Sequence, residues 1–280
     1  DLLWCQLFSE PNAGIDLAAV RTRAVRDEDQ WVINGQKVWT SGAQVADYGI
    51  LLARTDPELP KHQGLTFFLL DMRLPGVEVR PIKQISGHSE FNEVFFDDVV
   101  LDDACRLGEL NQGWSVAMHA LTAERFKRLN TRMPSMQSVL QLAEDCALEG
   151  VKAIDVDSVR QQLADNLADK CALEHFMSRM LTQLSKGEEL GSEASILKLV
   201  SCQLNQDLSA YAMDLLEESG TIVDPASHPL LAELYDAYLW TPGLRIAGGA
   251  DEILLNIIAE RSLGLPGEPR SDKGKAFKDL

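Results

Sequence analysis

Short apolar runs separated by turn residues fill the first hundred residues of the chain. Residues 48–53, 65–70 and 93–96 form such runs, and Asp-Pro, Pro-Gly and Ser-Gly pairs lie between them. This alternation of short runs and turn pairs is typical of a domain built from strands. The pattern from Leu2 to about Leu101 therefore predicts an antiparallel β-barrel or sandwich.

The Asn34-Gly35 pair opens a stretch that ends in Trp39, Thr40 and Ser41. Asn-Gly is the pair most favoured in two-residue β-hairpins, so we expect the residues on either side of it to be antiparallel neighbours. A flat aromatic ring beside hydroxyl groups suits a planar heteroaromatic cofactor. Large aromatic residues are more often part of a core, however, and this stretch alone leaves both interpretations of Trp39 open.

After Cys105 the pattern changes to apolar positions that recur every three to four residues. Ala, Leu, Glu, Gln and Arg fill the positions between them. This repeat predicts amphipathic helices that pack as a bundle. The predicted helical segments are 113–130, 135–149, 157–186, 191–219, 227–239 and 249–263.

These patterns together predict an α+β protein with two domains. A β domain covers residues 1–107 and a helical bundle covers residues 108–265. The boundary lies in the stretch 106–113, where Gly108 and Gly113 favour an irregular connection. Residues 266–280 are charged and rich in Pro and Gly. We therefore expect this tail to be poorly ordered or to lie on a partner subunit.

The charge balance limits the classes of partner. The chain has 43 acidic and 26 basic residues, which gives a net charge of −17 at pH 7. Such an excess of negative charge argues against nucleic acid or an anionic membrane as the main partner. No apolar run approaches the roughly 18 residues of a membrane span, and no secretory signal opens the chain. We therefore expect a soluble, cytoplasmic protein.

Cysteine and histidine give no sign of a disulfide framework or a metal site. The five cysteines are scattered without a C-x-x-C pair, and the five histidines have no ligand spacing. The sequence therefore predicts reduced thiols and no metal.

Three stretches of the sequence resemble motifs of one enzyme family. Residues 8–16 read Phe-Ser-Glu-Pro-Asn-Ala-Gly-Ile-Asp, residues 35–41 read Gly-Gln-Lys-Val-Trp-Thr-Ser, and residues 247–253 read Ala-Gly-Gly-Ala-Asp-Glu-Ile. The first two are similar to T/S-E-P-x-A-G-S-D and G-Q-K-x-W-x-[ST] of the acyl-CoA dehydrogenases. The third is similar to a degraded form of their C-terminal E-G-T-x-x-I-Q motif. The resemblance runs over nearly the whole chain.

The resemblance implies an acyl-CoA dehydrogenase-like middle β domain followed by a C-terminal helical bundle, with FAD held between them. In the family an all-helical N-terminal domain precedes these two. This sequence begins inside the middle domain, so we expect the N-terminal domain to be absent here or supplied by another chain.

The resemblance also implies how the flavin is held. Trp39 would lie against the isoalloxazine ring beside Thr40, and Ser41 would donate a hydrogen bond to the N5 edge. Phe8 and Ser9 would bond the pyrimidine edge through backbone and hydroxyl groups. The alternative for Ser9 is a turn hydroxyl that bonds the local backbone.

The catalytic base follows from a departure from the family pattern. Many members carry the base as the Glu of E-G-T, but Gly248 stands at that position here. Other members carry it in a Glu-Arg pair on the first bundle helix, and Glu124-Arg125 matches that pair. The resemblance therefore implies Glu124 as the base and Arg125 as a substrate-binding residue. The alternative is a glutamate on a helix surface.

The substrate side of the site combines a retained feature with a changed one. The backbone N–H groups of Gly248 and Gly249 can polarise the thioester carbonyl. Gly14 and Ile15 match the part of the first motif that lies near the CoA arm in the family. Ile15 stands where the family usually has Ser, which removes a hydrogen-bond donor.

Two family motifs that bind the ADP half of a neighbouring subunit's FAD are missing. This points to heteromeric dehydrogenases in which two unlike subunits share each FAD. The leading hypothesis is an FAD-dependent acyl-CoA dehydrogenase, working as a homo- or hetero-oligomer such as a dimer of dimers, with an electron-transfer flavoprotein as acceptor. The alternative is a catalytically weak structural subunit that completes a partner's FAD site. An acyl-CoA oxidase is a third hypothesis.

Overall fold

The computed structural model describes residues 2–127, 134–188, 190–221 and 229–280, without the side chains of 122–127, 218 and 219. The chain divides into two compact units. Unit 1 comprises Asp1–Ala123 and Glu268–Leu280, and unit 2 comprises Glu124–Gly267.

Unit 1 contains a mixed sheet of eight strands. The strands are β1 (Trp4–Leu7), β2 (Arg23–Asp27), β3 (Gln30–Ser41), β4 (Tyr48–Arg54), β5 (Leu65–Asp71), β6 (Val77–Pro81), β7 (Phe91–Asp102) and β8 (Arg106–Leu107). Their order is β6-β7-β3-β2-β4-β5-β8, and β1 pairs with β4. Strands β1 and β2 run parallel to β4, whereas the other neighbours are antiparallel. The predicted α+β class is confirmed. Among the described strands, β6 and β8 lie at the two ends of this order and do not pair with each other, so the sheet is open.

The predicted hairpin at Asn34-Gly35 is wrong. Strand β3 runs through both residues without turning and pairs with β7 on either side of a register slip at this point. Gly35 has a φ of 149°, and a Cβ there would lie 2.6 Å from Oγ1 of Thr22, so the glycine permits a close approach of two chain segments. The hairpin that does form joins β2 to β3 through a two-residue turn that begins at Glu28. Pairing with two neighbouring strands overrides the local turn preference of Asn-Gly.

The first part of the first helix packs on the sheet of unit 1. Helix α1 (Gly113–Lys127) buries Ala117 against Phe67 and Leu52, and Trp114 packs on the edge of the same cluster. This contact explains why unit 1 extends past residue 107, where the sequence pattern changes.

Unit 2 is helical, as the 3.6-residue repeat predicts. Its helices are α2 (Met136–Asp145), α3 (Asp157–Ser185), α4 (Glu193–Leu216), α5 (Pro229–Leu244) and α6 (Asp251–Arg261), with a two-stranded ribbon of β9 (Ala147–Leu148) and β10 (Val151–Lys152). Aliphatic side chains from α2, α3, α4 and α5 form one core, which includes Val139, Leu163, Leu208 and Leu234. The side chain of Ser135 caps α2 by accepting a hydrogen bond from the N–H of Ser138.

The segment Glu268–Leu280 packs on the β domain of its own chain. Phe277 is buried, and its N–H donates to the carbonyl oxygen of Leu59 at 2.9 Å. Lys61 forms an ion pair with Asp272 at 2.5 Å. This defined path differs from the poor order that composition predicts, because one aromatic residue and an ion pair anchor an otherwise polar segment.

Replacing Phe277 with Ala is expected to lower the free energy of unfolding of unit 1 by about 3 kcal/mol. The ring is 7% exposed, and the guanidinium carbon of Arg54 lies 3.8 Å from its centroid. Urea titration would measure the change. Leu280→Ala is the control, because Leu280 is 47% exposed and should change stability by less than about 0.5 kcal/mol. Equal effects of the two variants would show that Phe277 does not anchor the segment.

Candidate functional site

An exposed indole lies at an irregularity near the end of β3. The register between β3 and β7 slips between Lys37 and Thr40, and Trp39 has a φ of 59°. Its side chain is 57% exposed and meets the ring of Phe91 edge-on at 5.8 Å. Trp39 is therefore not a core residue. A non-glycine residue in this backbone region is uncommon and is often found at functional sites.

The end of β1 lies beside this irregularity. The N–H of Val38 donates to the carbonyl oxygen of Ser9 at 2.9 Å, and Nζ of Lys37 donates to the carbonyl oxygen of Phe8 at 2.8 Å. The Phe8 ring is buried edge-on against Phe67, so only its backbone is available to a ligand. Ser9 is partly exposed, and among the described residues its hydroxyl makes no local backbone hydrogen bond.

Thr40 and Ser41 present their hydroxyls differently. Thr40 is 1% exposed, and its Oγ1 has no hydrogen-bond partner in the described part of the chain. Its carbonyl oxygen accepts from the side-chain amide of Asn92 at 2.9 Å, which fixes the backbone. Ser41 is exposed. A buried hydroxyl without a partner is unusual in a protein. Because Thr40 points away from the face that exposes Trp39 and Ser41, its hydroxyl is enclosed and Ser41 presents the accessible one.

A buried ion pair holds the loop after β1 against β3. Nζ of Lys37 lies 2.8 Å from Oε1 of Glu10, and the two side chains are 0% and 8% exposed. The backbone N–H groups of Arg21 and Thr22 also donate to the Glu10 carboxylate, at 2.6 and 2.9 Å. Burial alone would raise the pKa of Glu10, but the Lys37 ammonium and these donors hold it below the ordinary value of 4.5.

Glu10 and Lys37 are site residues that the sequence analysis missed. A signal for Lys37 was present, because it falls on the same alternating face as Trp31 and Ile33 of β3, both of which are buried. A lysine on an inward face needs a carboxylate partner. The sequence alone does not identify that partner, which lies 27 residues away.

Gly14 and Ile15 lie in the loop that this ion pair supports. Glu10 and Ala13 exchange two backbone hydrogen bonds of 3.1 and 3.0 Å, which closes a tight turn before Gly14. Gly14 is exposed, and Ile15 is 59% exposed. The following Asp16 is paired with Lys61 at 2.7 Å. Ile15 is thus an apolar surface residue on an anchored loop.

The predicted base and its neighbour lie on a helix, as the sequence predicts. Helix α1 includes both Glu124 and Arg125, but their side chains lie outside the described residues. Glu124 is seven positions after the buried Ala117, a spacing that places both on one face of an α-helix. The assignment of Glu124 as the base stays a prediction.

Gly248 and Gly249 form the turn before α6 in unit 2. Their φ values are 69° and 105°, which glycine adopts without strain. Nζ of Lys198 on α4 donates to the carbonyl oxygen of Gly249 at 2.7 Å. Asp251, at the start of α6, pairs with Arg245 and lies 3.7 Å from Nζ of Lys198. The glycine turn is therefore fixed by a buried charge cluster, which no sequence motif indicated.

The structure brings together the residues predicted to hold the flavin ring. The side chains of Glu124 and Arg125 lie outside the described residues, so their position relative to this group is not described. Phe8, Ser9, Trp39, Thr40 and Ser41 all lie in unit 1, linked by the contacts of Lys37 and Val38. The group offers an exposed aromatic face beside the exposed Ser41 and the partly exposed Ser9. This arrangement suits a planar ligand with polar edge atoms.

The described residues contain neither a metal-binding cluster nor a helix that could span a membrane. Among them, no cluster of three or more His, Cys, Asp or Glu side chains is arranged to hold a metal ion. Within the same part of the chain, every helix is too short or too polar to cross a membrane.

Comparison with protein families gives two adjacent matches. Residues 5–99 match the acyl-CoA dehydrogenase middle domain. Residues 111–263 match the acyl-CoA dehydrogenase C-terminal domain. Together the two models cover both halves of the chain in the order that the sequence motifs imply.

Similar proteins carry names of the same kind. Acyl-CoA dehydrogenase FadE34 of Mycobacterium tuberculosis is 40% identical over 95% of this chain, which spans 36% of that protein. Acyl-CoA dehydrogenase IpdE1 of the same organism is 39% identical over 96% of this chain and 68% of that protein. This chain therefore covers about a third of the first relative and about two thirds of the second.

Two solved structures have the same fold. The Tcur3481-Tcur3483 steroid ACAD aligns with a TM-score of 0.83 and 28% identity, covering 96% of this chain and 69% of that one. The ChsE4-ChsE5 complex from Mycobacterium tuberculosis aligns with a TM-score of 0.81 and 29% identity, covering 96% and 70%.

Proposed function

Because this chain belongs to the acyl-CoA dehydrogenase family, we propose that it takes part in FAD-dependent α,β-dehydrogenation of an acyl-CoA thioester, giving a trans-2-enoyl-CoA and reduced flavin. The main support from the chain's own residues is the exposed Trp39 on the same strand face as the exposed Ser41. The chain covers 36% of FadE34 and 68% of IpdE1, so the activity proposed is that of the complete protein or complex.

The residues of unit 1 fit the ring end of FAD. Trp39 would cover one face of the ring system, and the buried Thr40 would hold the backbone between Trp39 and Ser41 through its bond with Asn92. Ser41 and Ser9 would bond polar atoms at the ring edge. When bound, FAD supplies an acceptor for the hydride that leaves the β-carbon of the substrate.

The remaining roles belong to groups that bind and activate the thioester. The backbone N–H groups of Gly248 and Gly249 would donate to the thioester carbonyl, which acidifies the α-carbon. Glu124 would accept the α-proton, and Arg125 would help to hold the substrate. Lys198 would contribute by holding Gly249 in place through its 2.7 Å hydrogen bond.

The partner of this chain is part of the proposal. The ChsE4-ChsE5 neighbour is a complex of two differently named subunits. We propose that this chain is likewise an oligomer, with an unlike subunit that supports the phosphate and adenine end of FAD. We expect the assembly to be a dimer of dimers in the cytoplasm. An electron-transfer flavoprotein would reoxidise its reduced flavin.

A second candidate function is a structural subunit with little catalysis of its own. Three positions favour it. Gly248 lacks the carboxylate of E-G-T, Ala250 is a buried residue without a hydroxyl, and Ile15 places an apolar side chain where the family has a donor.

One comparison separates the two functions. The complete protein is purified alone and with the product of the adjacent gene, and bleaching of the flavin spectrum by acyl-CoA is recorded. Bleaching that depends on residues of this chain supports the dehydrogenase. Bound flavin whose bleaching is insensitive to every variant of this chain supports the structural subunit. Absence of flavin from both preparations contradicts the proposed cofactor.

Replacing Trp39 with Ala is expected to weaken flavin binding by about tenfold, because the indole would lose its stacking contact with the ring. The free energy of unfolding of the variant should hardly change, since Trp39 is 57% exposed. Flavin titration monitored by fluorescence would measure both the dissociation constant and the bound fraction. Trp4→Ala is the matched control, as Trp4 is 49% exposed in the same unit. A similar loss in both variants would contradict the role of Trp39.

A further inference from the structure

A cleft opens in unit 1 where two strands of the sheet separate. Strands β2 and β4 pair in parallel only at Arg23 and Arg54. Beyond that pair β2 continues to Asp27 beside β3, whereas β4 ends at Arg54 and the chain turns into a loop. The space between them has a volume of about 560 Å³, which lies in the range of small-molecule sites.

The cleft has an apolar floor and a third wall from the last segment of the chain. Ala24, Trp31 and Leu110 contribute apolar surface, and Phe277 closes one side. Asn111 also lines the cleft. Aromatic and aliphatic surface beneath polar groups is a common composition of a ligand site.

Positive charge is concentrated in this cleft, although the chain as a whole carries −17. The lining includes the cationic side chains of Arg21, Arg23, Arg26, Arg54 and Lys278, and the only carboxylate among the lining residues is Asp56. Across the described residues, Arg21, Arg23 and Arg26 form no ion pair. Arg26 donates to the carbonyl oxygen of Glu28, and the guanidinium groups of Arg21 and Arg26 lie over the rings of Phe277 and Trp31. Lys278 is paired with Glu58 at 2.5 Å, so the unneutralised positive charge of the cleft lies on the arginines.

Arg54 is a buried cation without a carboxylate partner among the described residues. It is 4% exposed, and its terminal nitrogens donate to the carbonyl oxygens of Lys61, Ala18 and Val20. Its Nε has no hydrogen-bond partner in the same part of the chain. Burial lowers the pKa of Arg54 to about 10. Placing a buried charge near an anion offsets part of its desolvation cost.

We propose that this cleft binds the phosphate groups of a nucleotide, through the guanidinium groups of Arg21, Arg23 and Arg26 that line it together with the buried Arg54. Guanidinium pairs with phosphate oxygens through two parallel hydrogen bonds, which makes arginine the preferred residue for such groups. The apolar floor gives the base or another flat group a surface to contact.

The cleft is separate from the flavin-ring group. Trp31 lines the cleft and Trp39 belongs to the flavin-ring group, and both lie on β3. Eight residues of strand span about 26 Å. The proposal therefore stands without the proposed function. The nucleotide can be the ADP part of a coenzyme A compound or a free nucleoside diphosphate, since both present a pyrophosphate.

The test is calorimetric titration of the full chain with inorganic pyrophosphate, ADP, free coenzyme A and, as a control anion, sulfate. An Arg23→Gln/Arg26→Gln variant removes two exposed charges from the cleft, and we expect it to weaken binding at least about tenfold, as each charged hydrogen bond contributes about 1.5–3 kcal/mol. Arg73→Gln/Arg80→Gln is the matched control. It removes the same charge from two exposed arginines of unit 1 that do not line the cleft, and it should bind within about twofold of the unchanged chain.

The relative affinities for ADP and coenzyme A identify the ligand of the cleft. Equal, cleft-dependent affinity for ADP and coenzyme A identifies a free nucleotide as a sufficient ligand, and cleft-dependent binding of coenzyme A alone identifies the substrate's own nucleotide. Both support the site. The proposal is overturned if no phosphate compound binds, if the control variant loses as much affinity as the cleft variant, or if sulfate binds as tightly as pyrophosphate.

Discussion

A Lys37→Met variant is expected to lose about 3–5 kcal/mol of unfolding free energy at pH 7. Lys37 is fully buried, and removing its ammonium leaves the Glu10 carboxylate in the interior with only two backbone donors. Desolvation of that unpaired charge is the main cost. Chemical denaturation of the two proteins would measure the difference.

The loss should depend on pH in a defined direction. The folded-state pKa of Glu10 lies below 4.5, so this carboxylate contributes stability that is present above pH 4.5 and is lost as the pH falls through its folded-state pKa. In the variant the Lys37 ammonium no longer opposes the effect of burial, so the folded-state pKa of Glu10 should rise. The carboxyl group is then protonated in mild acid, which removes the cost of burying an unpaired charge. The difference between the two proteins is therefore largest near pH 7 and shrinks towards pH 4.

The same variant should loosen the flavin-ring group. Nζ of Lys37 also donates to the carbonyl oxygen of Phe8, which holds Ser9 beside Val38. We therefore expect weaker flavin binding as well as lower stability. Lys83→Met is the control, because Lys83 is exposed in the same unit. A Lys37→Met protein as stable as this control, or one whose deficit is constant with pH, would contradict the importance of the buried pair.

A Glu124→Gln variant is expected to slow reduction of bound flavin by acyl-CoA at least about a hundredfold. Glutamine has nearly the shape of glutamate but cannot accept the α-proton. Flavin content should stay unchanged, since the flavin-ring group lies on other residues. Stopped-flow absorbance under anaerobic conditions would measure the rate of bleaching.

Two variants make the test of Glu124 specific. Glu144→Gln changes an exposed glutamate of α2 in unit 2 and should reduce flavin at the normal rate. Glu124→Asp keeps a carboxylate and should retain part of the activity. If Glu124→Gln bleaches as fast as Glu144→Gln, the base is a different residue or belongs to the partner subunit.

The local patterns of the sequence were sufficient for the secondary structure of most elements. The 3.6-residue repeat predicted helices over 157–186 and 191–219, and the structure has α3 over Asp157–Ser185 and α4 over Glu193–Leu216. Such repeats are local, because a helix buries one stripe of side chains whatever its neighbours are. The strand runs at 48–53 and 65–70 likewise correspond to β4 and β5.

The hairpin shows where local preference fails. Asn34-Gly35 has the strongest local signal in the β domain, yet β3 passes straight through it. Two neighbouring strands pair with β3, and Thr22 packs against the glycine. Turn preference amounts to a few favourable dihedral angles, and the hydrogen bonds of a strand paired on both edges outweigh it.

By itself the sequence determined the α+β class, the helices of unit 2, the family and the residues that match its flavin and base motifs. Only the tertiary structure decided which of those residues are accessible. It left Trp39 exposed, buried Thr40 with an unpaired hydroxyl, and joined Glu10 to Lys37. It also placed Phe277 against Arg54 across more than two hundred residues of sequence. Burial and ion pairing depend on which distant segments meet, and no local pattern of residues encodes that.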